Sequence, residues 1–212
     1  MHSNRFIFLL LAATSNAQFS VFYDSKYPPA KFSVGSSTLT ISSGSYGKGI
    51  YSISSSSTLG LQHVSNAFDS STGTFWASAA NYNASGHYVG DQTTQTDRGV
   101  VKGEWIQINT PRPIIVSKSL IYGILNYEVR LAPFDLYCRI TSSNSNWFHR
   151  QNCSVGSSVC SVPYREKMLP MYCDSFRLVF PAVVVNTPGK SAYSMVVADL
   201  QITAAVGKII YR

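Results

Sequence analysis

The chain has 212 residues, of which 45% are hydrophobic and only 13% are charged, and its 17 basic and 10 acidic residues give a net charge of +7. This length predicts one domain with a core of its own, and the apolar content excludes a disordered chain. The positive charge is dilute and forms no run of Lys or Arg, so a nucleic-acid partner is not expected.

Residues 1–18 carry a pattern typical of a targeting segment. Arg5 precedes the apolar run from Phe6 to Ala13, and small residues follow up to Ala17. This is the order of a secretory signal peptide, and the run is too short for a transmembrane helix, which needs about 20 residues. The alternative is a retained apolar arm that packs against a neighbouring subunit.

Strand patterns fill the rest of the chain, whereas no long segment repeats apolar residues at the helical period. Apolar and polar residues alternate in the segments 38–41, 50–53, 105–108, 134–140, 176–180 and 200–202. Clusters of Ser, Asn, Gly and Pro separate these segments. The pattern predicts an all-β chain, folded as an antiparallel jelly-roll β-sandwich of about eight main strands.

The predicted organisation has four parts. Residues 1–18 are the signal-like segment or arm, 19–34 an extended N-terminal segment, 35–205 the sandwich and 206–212 a C-terminal tail. The sequence shows no repeat and no second domain.

The long segment 79–103 is predicted to be a loop because it lacks apolar periodicity, and loops of this length are either functional or mobile. Its side chains suit sugar hydroxyls and sugar rings. With Trp147, which follows a polar loop, the candidate ligand-binding residues are His87, Tyr88, Asp91, Asp97, Arg98 and Trp147. The alternative is a loop that is solvated or covered by a partner. Trp76 and Trp105 lie in strand-like contexts and are expected in the core.

Four cysteines, all in the C-terminal half, allow three disulfide pairings. Cys153 and Cys160 bracket a Ser-rich loop, while Cys138 and Cys173 lie in two strand-like segments. These positions favour the pairs 138–173 and 153–160. The alternative is four reduced thiols, as in a cytosolic assembly. No CxxC motif occurs, so a zinc site is not expected.

Several motifs follow one another in an informative order. Ala67-Phe68-Asp69 precedes Thr74-Phe75-Trp76-Ala77-Ser78, and strand-like segments follow at 103–109, 114–123, 134–147, 175–180 and 197–202. Over residues 35–205 this order resembles the discoidin domain, the C-type domain of coagulation factors. The chain departs from that pattern because it has no Cys before residue 138 and has Ser70 where Gly usually follows the Asp.

The resemblance implies a galactose-binding-like β-sandwich that binds glycans, lipid headgroups or proteins through loops at one end and is not itself catalytic. It further implies a calcium ion held by Asp69, Thr74 and Asp199, with Asp199 in the place of a more usual Glu. The alternative role of Asp69 is to cap a turn. The sequence also lacks GxSxG, HExxH and phosphate-binding glycine motifs, so an enzyme is not expected.

Two functions remain open. The first is a non-catalytic structural or adhesion protein whose sandwich docks to neighbouring proteins or glycans, as a minor capsid or surface component of a large virus particle. The second is a secreted, lectin-like module that binds carbohydrates or lipid headgroups, suggested by the signal-like start, the cysteines and the glycosylation sequons at Asn83 and Asn152. Free thiols and a retained arm favour the virion, whereas disulfides and a cleaved start favour the secreted protein.

Overall fold

A computed structural model describes residues 18–43, 47–122, 129–141, 146–153, 159–161 and 172–211. One short 3-10 helix, η1, spans Val64–Phe68. The strands are β1 (Gln18–Tyr27), β2 (Thr38–Ile41), β3 (Gly49–Ser55), β4 (Trp76–Ala77), β5 (Tyr82–Asn83), β6 (Thr93–Thr96), β7 (Gly99–Lys102), β8 (Glu104–Tyr122), β9 (Val129–Leu131), β10 (Phe134–Arg139), β11 (Phe148–Cys153), β12 (Val159–Ser161), β13 (Cys173–Phe180), β14 (Val183–Val185), β15 (Ala192–Tyr193), β16 (Val196–Val197) and β17 (Asp199–Tyr211).

Two antiparallel sheets share the long strand β8. The first sheet has the order β2-β3-β8-β13-β10-β11, and the second has β1-β17-β8-β12. The N-terminal half of β8 pairs with β3 and β13, and its C-terminal half pairs with β17 and β12. The register between β8 and β13 shifts beside Pro111 and Pro113. Proline cannot donate a backbone hydrogen bond, so the strand leaves one ladder here and joins the next.

The main core lies between the two sheets, because every second residue of each central strand is apolar and points inward. Ile106, Leu178 and Ile202 are buried there, and Trp76 is fully buried against Phe180 at a centroid distance of 6.3 Å. The core position predicted for Trp76 is confirmed. So is the predicted fold class, an antiparallel β-sandwich.

The sandwich reaches beyond the predicted limits of 35–205. β1 lies in the segment predicted to be merely extended, and it pairs with β17 along its whole length, from Gln18 opposite Tyr211 to Tyr27 opposite Ile202. β17 thereby includes most of the predicted tail. Residues 1–17, the signal-like segment or arm, lie outside the described residues. Within the described part of the chain, no helix is long and apolar enough to cross a membrane.

The predicted loop 79–103 is more regular than its sequence suggested, since it contains β5 and the hairpin β6–β7. Thr94 and Thr96 of this hairpin are buried, and Val101 packs on a second, smaller apolar cluster beside the first sheet. That cluster consists of Tyr137, Trp147 and Val179, with Val101 and Trp105 packed on it. The buried residues of β6 are threonines and not apolar residues, so this strand shows no apolar periodicity in the sequence.

Candidate functional site

The face of the first sheet that points away from the main core is called the outer face. It carries the residues that alternate with those of the main core, which are mostly polar, and the second cluster covers part of it, so that some of them are buried as well. Backbone register aligns them in rows across β3, β8, β13 and β10. The rows are Ser54, Gln107, Arg177 and Tyr137, and next to them Ser52, Asn109, Ser175 and Arg139.

Arg177 lies at the centre of the outer face between two tryptophan rings. Its guanidinium carbon is 3.9 Å from the ring centroid of Trp105 and 4.5 Å from that of Trp147. Its Nε and Nη2 donate to Gln107 Oε1 at 3.1 and 2.7 Å, and its Nη1 donates to Thr94 Oγ1 at 3.1 Å. Stacking and hydrogen bonds together fix this side chain in one orientation.

Trp105 therefore does not belong to the main core, contrary to expectation. It is partly buried and packs on the second cluster. The reason is alternation along β8, which places Trp105 on the same face as Gln107 while Ile106 and Ile108 point inward.

A second arginine shares the ring of Trp147. The guanidinium carbon of Arg139 is 4.6 Å from that ring centroid. Its Nε is buried and has no hydrogen-bond partner in the described residues, although the residue as a whole is partly exposed. Burial, together with the positive charge of Arg139, lowers the pKa of Arg177 to about 10.

The tip of the hairpin β6–β7 brings three predicted ligand residues together. The backbone N–H of Asp97 donates to Trp147 O at 2.9 Å, and Trp147 N donates to Gln95 O at 3.2 Å. Asp97 Oδ1 in turn accepts from the backbone N–H of His149 at 3.2 Å. Arg98 is exposed at the same tip.

Beside this tip lies a cluster that the sequence analysis did not find. His149 Nε2 is 3.0 Å from Asp135 Oδ1, which also accepts from Asn152 Nδ2 at 3.1 Å. The ring of Tyr137 packs edge-on against His149 at 5.4 Å. Burial, helped by the charge of Asp135, raises the pKa of Tyr137 to about 12. The tyrosine is therefore a neutral hydroxyl at any physiological pH.

The other three predicted ligand residues lie in a different part of the loop. His87 forms a backbone bridge with Ala182. Tyr88 packs edge-on against Tyr82 at 5.4 Å, its hydroxyl accepts from Gln92 N at 2.9 Å, and burial raises its pKa. Asp91 is exposed near it. The structure thus divides the six candidates between two regions.

A fully buried carboxylate fixes the base of the loops. Glu104 accepts from Ser57 Oγ at 2.7 Å, from Asn81 Nδ2 at 2.7 Å and from Ser56 Oγ. Three neutral donors thereby compensate the burial of this carboxylate. The contacts tie the segment after β3 to the segment after β4, so Glu104 has a structural role that its position after Gly103 did not reveal.

The predicted calcium residues lie close together. Asp69 Oδ1 accepts from Ser71 N at 2.9 Å, which is the turn-capping role considered as the alternative. Its Oδ2 accepts from Thr74 Oγ1 at 2.5 Å. Asp199 is buried, and burial together with the nearby charge of Asp69 raises its pKa, against hydrogen bonds such as that from Gln201 Nε2 at 2.8 Å.

Two neighbouring carboxylates and a hydroxyl have the oxygen chemistry that a hard cation prefers, and backbone carbonyls of a turn often supply the remaining ligands. The described residues contain no group of three or more His, Cys, Asp or Glu side chains that could hold a metal. Calcium at Asp69, Thr74 and Asp199 therefore stays a prediction, with these three residues as its side-chain ligands.

Two neighbouring strands of the first sheet are also joined covalently. A disulfide links Cys138 of β10 to Cys173 of β13, with a Cα–Cα distance of 5.8 Å, as the sequence pairing favoured. Cys153 is disulfide-bonded as well. The side chain of Cys160, its predicted partner, lies outside the described residues.

The missed residues did leave a signal in the sequence. Within the predicted strand 134–140, alternation sets Asp135, Tyr137 and Arg139 on one face, opposite the apolar residues. The same rule sets Arg177 on the outer face of 176–180. What the sequence could not supply is the neighbour of each strand, because strand order depends on contacts distant in the chain.

No protein-family model and no curated protein sequence matches the chain. Among solved structures, it is similar to a chitosan-binding module of a chitosanase/glucanase from Paenibacillus sp. IK-5, with a TM-score of 0.48, 17% identity and coverage of 71% of this chain and 92% of that one. It is also similar to the family 32 carbohydrate-binding module of C. perfringens NanJ, solved with galactose, with a TM-score of 0.47, 13% identity and coverage of 72% and 93%. At such identities the likeness concerns the path of the backbone.

Proposed function

We propose that this chain is a non-catalytic, glycan-binding module, and that its binding surface is the outer face beside the tip of the hairpin β6–β7. The observation that carries the proposal is the arrangement of Trp105, Arg177 and Trp147, in which a guanidinium lies between two aromatic rings; Trp105 and Arg177 are partly exposed and Trp147 is buried. Trp105 and Arg177 lie on the paired strands β8 and β13, and Trp147 forms a backbone bridge with Thr96 of β6.

A sugar offers two kinds of surface to a protein. Its hydroxyls both donate and accept hydrogen bonds, and its C–H groups form apolar patches that pack on aromatic rings. Binding sites therefore combine apolar and aromatic walls with a few fixed polar groups. Asn109, Arg139, Asp135 and His149 supply such polar groups on this surface, and all four are partly exposed.

Contacts with neighbouring side chains hold the polar groups of this surface in place. Asp135 and His149 are 3.0 Å apart, with side-chain exposures of 18% and 17%, and Asn152 donates to the same carboxylate oxygen. Groups held in this way can orient the hydroxyls of a ligand.

The disulfide between Cys138 and Cys173 supports a secreted or otherwise extracellular location, because such bonds persist in oxidising compartments. The role in a virus particle, expected from the few charges and the many Ser, Asn and aromatic residues, would be favoured by free thiols and by a retained arm in residues 1–17, which lie outside the described residues. That role stays a prediction, and docking to protein subunits stays one with it.

The test is binding of the full chain to an array of oligosaccharides, followed by calorimetry with those retained. Arg98→Ala removes an exposed side chain at the hairpin tip and should weaken binding about tenfold, or ~1.4 kcal/mol. Lys31→Gln, an exposed basic residue outside this surface, is the control and should leave affinity unchanged.

His87→Ala decides between the two regions of the predicted loop. Lost affinity in His87→Ala with normal affinity in Arg98→Ala would move the site to the segment between β5 and β6. No binding of the wild-type chain to any glycan would refute the proposed function.

A further inference from the structure

The outer face contains two guanidinium groups on one tryptophan ring. Arg139 and Arg177 lie 4.6 and 4.5 Å from the ring centroid of Trp147. Within the described part of the chain, the one contact of 4.0 Å or less between a basic and an acidic side chain joins His149 to Asp135, so neither arginine has a carboxylate within that distance. Two partly buried like charges repel each other, and an acidic group normally compensates them.

The two arginines differ in what their donors do. Arg177 directs all three of its nitrogen atoms at Gln107 and Thr94. Arg139 makes no hydrogen bond to the described residues, and its buried Nε has no acceptor. A guanidinium has five N–H donors in a planar fork, of which Arg177 uses three, one on each nitrogen, whereas no hydrogen bond joins the donors of Arg139 to the described residues.

The residue opposite Arg139 on the neighbouring strand carries a hydroxyl group. Arg139 lies opposite Ser175 in the register of β10 and β13, and Ser175 Oγ is 3.0 Å from Thr141 Oγ1. The carboxylate of Asp174, which precedes Ser175 in β13, accepts from both the N–H and the hydroxyl of Thr141 at 2.8 and 2.7 Å. It is thus engaged by Thr141 rather than by an arginine.

We propose that Arg139, supported by Trp147 and Arg177, binds the negatively charged group of an acidic sugar residue, either a carboxylate or a sulfate ester. This inference rests on the proposed function and adds the class of glycan, acidic rather than neutral. The guanidinium fork matches two oxygens of either group. An anion there also relieves the repulsion between the two arginines, and the net charge of +7 attracts acidic polymers.

The experiment compares matched charged and neutral ligands on the full chain. One pair is an oligogalacturonate and its methyl ester, and the other is a sulfated galactan oligosaccharide and its desulfated form. The acidic member of at least one pair should bind about tenfold more tightly at low salt. The preference should fall as sodium chloride is added, because salt screens charges. The pair with the larger difference identifies the anion.

Variants of Arg139 test the residue itself. Arg139→Gln should reduce affinity for the acidic ligand to that for its neutral partner. Arg139→Lys keeps the charge but not the fork and should fall between them. Lys31→Gln removes the same charge from an exposed position outside the outer face and should change affinity less than about twofold. Thermal melts of each variant check that it is folded.

Three results would overturn the inference. Equal binding of charged and neutral ligands by the wild-type chain would refute the preference for an acidic glycan but would agree with the proposed function. An equal loss in Lys31→Gln and Arg139→Gln means that the net charge, and not this site, attracts the ligand. Binding of no glycan at all refutes the proposed function as well. The comparisons on the wild-type chain remain decisive even if Arg139→Gln does not fold.

Discussion

The two faces of the first sheet are built by the same strands yet obey different rules. On the inner face, Ile106 and Leu178 lie in the main core, where any apolar side chain of the right volume would serve. On the outer face, Gln107 and Arg177 bind each other through paired hydrogen bonds. Apolar alternation specifies the first face, whereas particular pairs of side chains specify the second.

The difference has an energetic consequence. A side chain removed from the inner face leaves a cavity that the surrounding structure cannot fill, and the loss is large. A partly exposed side chain removed from the outer face, such as Arg177 or Trp105, is partly replaced by water. Stability should therefore depend mainly on the inner face, while ligand binding depends on the outer one.

Replacement of the two tryptophans should give the largest contrast. Trp76 is fully buried, and its Nε1 donates to Ser57 O at 3.0 Å. Trp76→Ala should lower the free energy of unfolding by about 3–5 kcal/mol. Trp105 is only partly buried, and its replacement removes mainly the contact with Arg177. Trp105→Ala should therefore lower the free energy of unfolding by about 1–2 kcal/mol. Urea unfolding measures both, and equal losses would contradict the distinction between the faces.

A smaller effect is expected at the centre of the outer face. Arg177→Met keeps the length of the side chain but leaves Gln107 Oε1 and Thr94 Oγ1 without their donor. The expected loss is about 1–3 kcal/mol. The double variant Arg177→Met with Gln107→Leu removes the stranded acceptor and should recover part of the loss. No recovery in urea unfolding would mean that stacking on Trp105 and Trp147, and not hydrogen bonding, holds Arg177.

The inner face was predictable from sequence because its code is local. The alternating segments 105–108, 134–140 and 176–180 correspond to parts of β8, β10 and β13, and Trp76 lies in the core as expected. Alternation also predicts which residues of each strand lie on the outer face. It does not predict which strands are neighbours, so the sequence could not show that Arg139 and Arg177 contact the same ring, that of Trp147.

The candidate site was predicted in part for the same reason. Asp97, Arg98 and Trp147 were selected by residue type, and the hairpin β6–β7 brings them together. His87 and Tyr88 were selected by the same criterion and lie elsewhere. Membership of one predicted loop is thus a weak guide to proximity, because a loop of this length contains several independent turns.

The smallest expected effect concerns a third region, formed by Asp69, Thr74 and Asp199, in which two carboxylates lie near each other. Burial and the charge of Asp69 raise the pKa of Asp199 above 3.8, the value for an unperturbed aspartate. The folded chain therefore binds this proton more tightly than the unfolded chain does. The resulting stabilisation is complete below the unfolded pKa and is lost as the pH rises through the folded pKa.

Asp199→Asn, which is uncharged at every pH, should therefore melt slightly above the wild type at neutral pH in the presence of a chelator, and the difference should vanish in acid. If the predicted calcium ion binds, millimolar calcium should raise the melting temperature of the wild type and not that of Asp199→Asn, so the order reverses. Asp174→Asn alters a carboxylate outside this region and should respond to calcium as the wild type does. An unchanged melting temperature of the wild type in calcium would refute the predicted calcium site. A melting temperature of Asp199→Asn below that of the wild type in chelator would mean that the hydrogen bond from Gln201 to Asp199 outweighs the repulsion by Asp69.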